Sequence, residues 1–129
     1  MNDKTPSCVL LADRHHALNE RVCGLLEATF ERVFMVVDEA SLMEGAARLR
    51  PTMFVIDLSL AAGNLAGMVK EVRTRAPEAK ILLLSVHDEA TVVTAANAAG
   101  ADGLVVKRTI ATELLDAVDA ILAGNRYVS

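Results

Sequence analysis

Pro51-Thr-Met-Phe-Val-Ile-Asp57-Leu-Ser-Leu60 is the stretch on which the fold turns. Met53 to Ile56 within it is an unbroken apolar run, closed by the carboxylate of Asp57. Leu42, Ala46 and Leu49 mark a helix upstream, and Pro51 forbids its continuation into the run. The run therefore reads as a strand that is apolar on both faces. Such strands belong to parallel sheets covered by helices on both sides.

The pattern repeats in both directions. Toward the N-terminus, Cys8 to Ala12 is a strand ending at Asp13, and Val33 to Val37 is another. Between them Leu18, Val22, Leu25 and Leu26 recur at helical spacing, predicting a helix over roughly 15–29. Toward the C-terminus, Leu65, Met68, Val69 and Val72 mark a helix closed before Pro77. Ile81 to Leu84 is a strand ending at Ser85, and a helix follows from Glu89 to Ala99 with Gly100 as its cap. Gly103 to Val106 is a short fifth strand ending at Lys107. Leu114, Leu115, Val118, Ile121 and Leu122 stripe the last helix, which Gly124-Asn125 ends. Five βα units with right-handed crossovers predict an α/β doubly wound three-layer sandwich.

Composition narrows the class. A chain of 129 residues is one domain by size, and 53% hydrophobic against 3% aromatic residues implies an aliphatic core. No apolar run approaches the ~18 residues of a membrane span. Met1 to Ser7 is polar, reads as a flexible N-terminus and lacks the apolar stretch of a signal peptide, so a cytoplasmic location is expected. Cys8 and Cys23 form no C-x-x-C pair and read as small buried hydrophobes. A net charge of −4 without a basic patch argues against direct DNA binding by this chain.

In such sheets functional groups gather at the carboxyl ends of the strands, where strand order reverses. Those ends carry Asp13-Arg14, Asp57, Ser85 and Lys107, with Asp38 and Glu39 outside the site at the rim. Singly, each is ordinary: Asp and Ser cap helices, and Lys-Arg pairs are usually solvated. Together they fit one chemistry. A carboxylate can attack phosphorus, cationic groups can hold the equatorial oxygens, and a hydroxyl can bond one of them.

The strand around Asp57, the stretch Leu82-Leu-Leu-Ser85-Val-His-Asp-Glu89 and the stretch Gly100-Ala-Asp-Gly-Leu-Val-Val-Lys107 resemble, in order and spacing, the receiver domains of two-component response regulators. The lysine strand and the ending Ala123-Gly-Asn-Arg-Tyr-Val-Ser129 are similar to the NarL/LuxR-type transcription regulators. The resemblance implies a flavodoxin-like (CheY-like) (βα)5 fold, with parallel sheet order 2-1-3-4-5 and residues 8–125 as the receiver. Residues 126–129 then begin a linker toward a helix-turn-helix domain. It implies Asp57 as phosphoacceptor, Ser85 as switch hydroxyl and Lys107 as the lysine on the phosphoryl group. Mg²⁺ would be held by Asp13, Asp57 and the Ser59 backbone carbonyl. The implied partners are a sensor histidine kinase, a DNA-binding output domain and a second copy of the chain. Such a domain is no enzyme beyond catalysing its own phosphorylation and dephosphorylation.

Three positions depart from the family pattern. Arg14 stands where a second acid, a direct Mg²⁺ ligand, is usual; it is expected either to pair with Asp57 or Asp13 in the acidic pocket and weaken metal binding, or to swing into solvent and leave Asp13, Asp57 and the Ser59 carbonyl to hold the metal with extra waters. Leu104 replaces the usual aromatic ring, and Ala61 replaces a proline, which loosens the loop. Arg14 and Leu104 support an alternative: an atypical receiver acting as a phosphorylation-independent dimerisation or docking module. A haloacid-dehalogenase-type phosphohydrolase would want Asp where Ser59 stands, and a flavin protein would want a glycine loop where Asp13-Arg14-His15-His16 stands. His15 and His16 read as partly exposed caps or packing residues at a helix start, with metal ligation as the alternative; His87 reads either as an exposed loop residue at the mouth of the site or, as the resemblance implies, as a residue affecting access of water to the acyl phosphate.

Overall fold

The computed structural model describes residues 5–87 and 89–128, and for residues 5–7 and 16–19 the backbone only. Six strands form one parallel sheet: β1 (Thr5–Ala12), β2 (Phe30–Val36), β3 (Met53–Asp57), β4 (Lys80–Ser85), β5 (Gly103–Val106) and β6 (Tyr127–Val128). Their order is β2-β1-β3-β4-β5-β6, the expected order with one strand added at the edge. Five helices connect them: α1 (His16–Leu26), α2 (Glu39–Leu49), α3 (Leu65–Arg75), α4 (Ala90–Ala99) and α5 (Ile110–Leu122). No helix among the described residues is long and apolar enough to cross a membrane.

Alternation along the strands explains the unbroken apolar runs. Leu10, Phe54, Ile56, Ile81, Leu83 and Leu104 face one way and pack with α2, α3 and α4. Val9, Leu11, Met53, Val55, Leu82 and Leu84 face the other way and pack with α1 and α5. A residue at every second position meets one helical layer, and its neighbours meet the other. One phenylalanine fills each layer, Phe54 on the first and Phe30 on the second; the rest of the buried core is aliphatic or methionine, as the composition implies.

Chain punctuation follows the expected chemistry. Asp38 caps α2 by accepting the Ser41 N–H at 2.7 Å, which keeps it at the rim and out of the site. Gly100 ends α4 at φ 90°, a conformation that glycine adopts without Cβ strain. At Gly103 a Cβ would meet the Tyr127 carbonyl at 2.8 Å, so the close pairing of β5 with β6 requires glycine there. Residues 126–129, read as the start of a linker, thus contain a short strand. The Tyr127 hydroxyl donates to Glu113 of α5 at 2.7 Å and anchors it. That acceptor, followed by burial, pushes the Tyr127 hydroxyl up to about 12.

The end of the sheet remote from the site is held by one side chain. Arg73 donates to the carbonyls of Ala79 at 3.0 Å and Gly100 at 2.7 Å, and to Asp102 at 2.9 Å. Asp102 in turn accepts the Ile81 N–H at 2.8 Å. The cluster ties α3 to the start of β4 and to the α4–β5 turn. Arg73→Ala is expected to cost about 2 kcal/mol, since charged hydrogen bonds are lost and Asp102 is left with an unmatched charge. Urea unfolding checks it: the midpoint falls while the slope stays constant.

Candidate functional site

Three strand ends deliver the site. β1 ends one residue before Asp13, β3 ends on Asp57, and β5 ends one residue before Lys107. Because β1 and β3 are neighbours whose crossovers leave in opposite directions, a crevice opens between their carboxyl ends. Asp13 and Asp57 lie in it almost fully buried, 0% and 3% exposed, and Lys107 is buried with them.

The ammonium of Lys107 is the centre of the arrangement. Its Nζ stands 2.7 Å from Asp13 Oδ2 and 3.0 Å from Asp57 Oδ2. Two carboxylates this close repel unless a cation lies between them, and Lys107 supplies it. Asp57 also accepts the Ser59 N–H at 3.1 Å on Oδ1 and the Ser59 hydroxyl at 2.9 Å on Oδ2. Burial by itself raises the Asp57 pKa. The Ser59 N–H, the Lys107 ammonium and the Ser59 hydroxyl together outweigh burial and hold the group below its ordinary value. Asp57 is therefore an ionised, oriented carboxylate, the form a nucleophile needs.

Ser59 meets Asp57 through its N–H and hydroxyl, while its backbone carbonyl accepts the Ala62 N–H at 3.4 Å. Leu58 to Ala61 form a 3-10 turn, so the loop that Ala61 was expected to loosen is ordered by local hydrogen bonds. Ser85 reaches the same edge and is buried, with its hydroxyl accepting the His87 N–H at 2.9 Å. Leu104 is buried in the core layer of α2, α3 and α4.

Arg14 takes the solvent-facing of its two expected places, and the expected pairing with Asp57 or Asp13 is not seen. The residue is exposed, and no ion pair joins it to Asp13 or Asp57 among the described residues. The pocket already holds the Lys107 ammonium between its two carboxylates, so a guanidinium there would bring a second buried cation, whereas outside it keeps its hydration. His15 takes the place at the pocket. Its N–H donates to Asp13 Oδ1 at 3.0 Å, and its Nδ1 lies 3.0 Å from the same oxygen, 3.5 Å from Asp57 Oδ2 and 3.2 Å from Lys107 Nζ. As the residue preceding α1, His15 makes no side-chain cap, so reading it as a cap or packing residue misses its place. The available signal was its position two residues after the first acid.

The lone-pair atoms that converge here are two carboxylate oxygens and one imidazole nitrogen, all within 4.8 Å of one another. Mg²⁺ takes about six hard oxygens in near-octahedral geometry. This set has one nitrogen and lacks the second acid, and it matches Mg²⁺ poorly. The two thiols are less buried than expected, each half-covered. Burial pushes both up, aided at Cys23 by Glu27, which leaves them poor nucleophiles.

Comparison with known proteins places the sequence and its fold in one family. Residues 9–119 match the family described as response regulator receiver domain. Among curated proteins the chain is 28% identical to the transcriptional regulatory protein DegU of Brevibacillus brevis, over 93% of this chain and 52% of that protein. It is 30% identical to the nitrate/nitrite response regulator protein NarP of Escherichia coli, over 100% of this chain and 61% of that one. The chain thus spans half to three-fifths of the length of these relatives. Among solved structures, a LuxR-family two-component response regulator from Aurantimonas aligns with a TM-score of 0.84 at 26% identity, over 95% of this chain and 89% of that chain. The receiver domain of RcsB from Escherichia coli, at 22% identity, aligns with a TM-score of 0.82 over 97% and 99% of the two chains and supports the fold.

Proposed function

The chain belongs to the response regulator receiver domain family, and from that premise we propose that Asp57 accepts a phosphoryl group and that the domain reports it to a transcriptional output domain. One observation carries the reading: an ionised carboxylate at the end of β3, with the ammonium of Lys107 3.0 Å from its Oδ2. One Asp57 oxygen attacks phosphorus, held as a phosphohistidine on a sensor kinase or as a small acyl phosphate. The new O–P bond forms as the bond from phosphorus to the histidine nitrogen, or to the acyl oxygen, breaks, and the departing group keeps the electron pair. Lys107 then follows the charge onto the phosphoryl oxygens.

Ser85 supplies the switch. Its hydroxyl accepts from the His87 N–H at 2.9 Å, and turning it to donate to a phosphoryl oxygen weakens that bond. The start of the β4–α4 loop, including exposed Val86, is thereby linked to the phosphorylation state. Leu104 cannot rotate as a ring would, so the loop takes the main part. The partners of this reading are a histidine kinase, a NarL/LuxR-type DNA-binding output domain and a second copy of the chain; DNA contact belongs to the output domain.

Incubating the domain with acetyl phosphate, with and without divalent cation, and measuring its intact mass tests the reading. The expected result is a gain of one phosphoryl group. No gain under either condition would leave the alternative, a docking or dimerisation module that works without phosphate.

A further inference from the structure

We infer that the crevice between β1 and β3 is selective for a first-row transition cation of the Zn²⁺ or Co²⁺ kind over Mg²⁺, with His15 as the ligand that decides between them. The inference rests on the reading of Asp57 as the floor carboxylate of the pocket. It departs from that reading in the metal: the residues present do not build the oxygen-only site expected of the family.

The donor set comes first. Asp13, His15 and Asp57 each offer one ligand atom, and the three lie within 4.8 Å of one another. His15 Nδ1 stands 3.0 Å from Asp13 Oδ1 and 3.5 Å from Asp57 Oδ2. Ligands held tetrahedrally at about 2.0–2.1 Å from Zn²⁺ are about 3.3 Å apart, so these separations need little adjustment. Imidazole nitrogen suits Zn²⁺ and its neighbours, whereas Mg²⁺ keeps to carboxylate, carbonyl and water.

A second observation is independent of the donor types. The three residues already enclose a cation, because Lys107 Nζ lies 2.7 Å from Asp13 Oδ2, 3.0 Å from Asp57 Oδ2 and 3.2 Å from His15 Nδ1. The pocket is thus charged for one positive centre: the ammonium sits on Asp13 Oδ2 while His15 Nδ1 faces Asp13 Oδ1, and a divalent ion among these ligands competes with the ammonium for the same two carboxylates. Access is one-sided. The two carboxylates are buried, while the His15 side chain is 58% exposed, so an ion would reach the carboxylates from the His15 side. Arg14, turned outward, supplies no oxygen to restore the octahedral alternative.

The ring is also pre-positioned. The His15 backbone N–H donates to the carboxylate that its own Nδ1 approaches, which limits how far the two ligands can drift apart. Loss of a mere outer-shell partner costs metal affinity about 10–100-fold, so loss of a direct ligand costs at least as much.

The test is a pair of calorimetric titrations, Co²⁺ and Mg²⁺, on the unphosphorylated chain at neutral pH, with the visible absorption of bound Co²⁺ as a second readout. The intact chain is expected to bind Co²⁺ at least tenfold tighter than Mg²⁺ and to show the intense absorption of four-coordinate Co²⁺. His15→Ala should lose at least tenfold in Co²⁺ affinity with Mg²⁺ affinity unchanged. His15→Asp should invert the order, because it exchanges nitrogen for oxygen. His16→Ala and His87→Ala control for other histidines and should change nothing. Mg²⁺ binding as tightly as Co²⁺, Co²⁺ binding indifferent to His15→Ala, or Co²⁺ binding lost with His16 or His87 would each overturn the inference. No phosphoryl donor is present, so failure of phosphorylation and failure of metal selectivity read out separately.

Discussion

Lys107→Met is expected to lower stability at neutral pH by about 3–5 kcal/mol, the cost of leaving buried charges without their partner. In the intact chain one ammonium serves two buried carboxylates, at 2.7 Å and 3.0 Å. Methionine fills similar space and removes the charge, so Asp13 and Asp57 are left facing each other in a crevice that water barely reaches. The acid dependence should change sign as well. Asp57 has a folded pKa below its ordinary 3.8, so its contribution is present above that value and is lost as pH falls through the folded pKa. Without Lys107, burial is no longer outweighed, and the neighbouring Asp13 charge adds to it. The folded pKa of Asp57 rises above the unfolded value, and destabilisation present at neutral pH is relieved as the pH drops. Urea midpoints followed from neutral to about pH 3 test both points. The intact chain should weaken toward acid while Lys107→Met strengthens; parallel curves would show that the ammonium does not hold the carboxylates.

Asp57→Asn should abolish labelling by acetyl phosphate while leaving the fold intact. The amide has nearly the same shape and can still accept the Ser59 N–H, and Lys107 retains Asp13 at 2.7 Å. It loses the ionised oxygen proposed to attack phosphorus, and no neighbour is expected to replace it. Asp13 is the only other carboxylate bonded to Lys107 among the described residues, and it is fully buried. Ser85→Ala offers the contrast, because Ser85 bonds the His87 N–H rather than Asp57. That variant should still be labelled, with the signal failing downstream. Intact mass and circular dichroism on the two variants separate chemistry from folding.

How far the sequence discloses this molecule depends on burial. β3, β4 and β5 lie close to where their apolar runs put them, because strands covered on both faces have no polar positions to interrupt the run. β2 begins at Phe30, three residues before its expected start at Val33. It is an edge strand, and exposed Glu31 and Arg32 interrupt its apolar pattern. The 3-10 turns at Leu58–Ala61 and Lys107–Thr109 leave no periodic signal, and neither does the two-residue β6. In the site, Asp13, Asp57 and Lys107 were legible because each follows an apolar strand, and the strand order places those ends together. The choice between Arg14 and His15 was not. Both follow β1, and which side chain enters the crevice depends on the backbone path into α1 and on the ammonium that arrives from β5, 92 residues beyond His15.

On the proposed reading the phosphoryl group goes to Asp57 and nowhere else. Tandem mass spectrometry of the chain labelled with acetyl phosphate tests it most directly, by locating the added group within the peptide that spans β3 and the turn after it. One label is expected, on Asp57, absent from Asp57→Asn. A label on Asp13, Ser59 or Ser85, or equal labelling of the intact chain and Asp57→Asn, would contradict it.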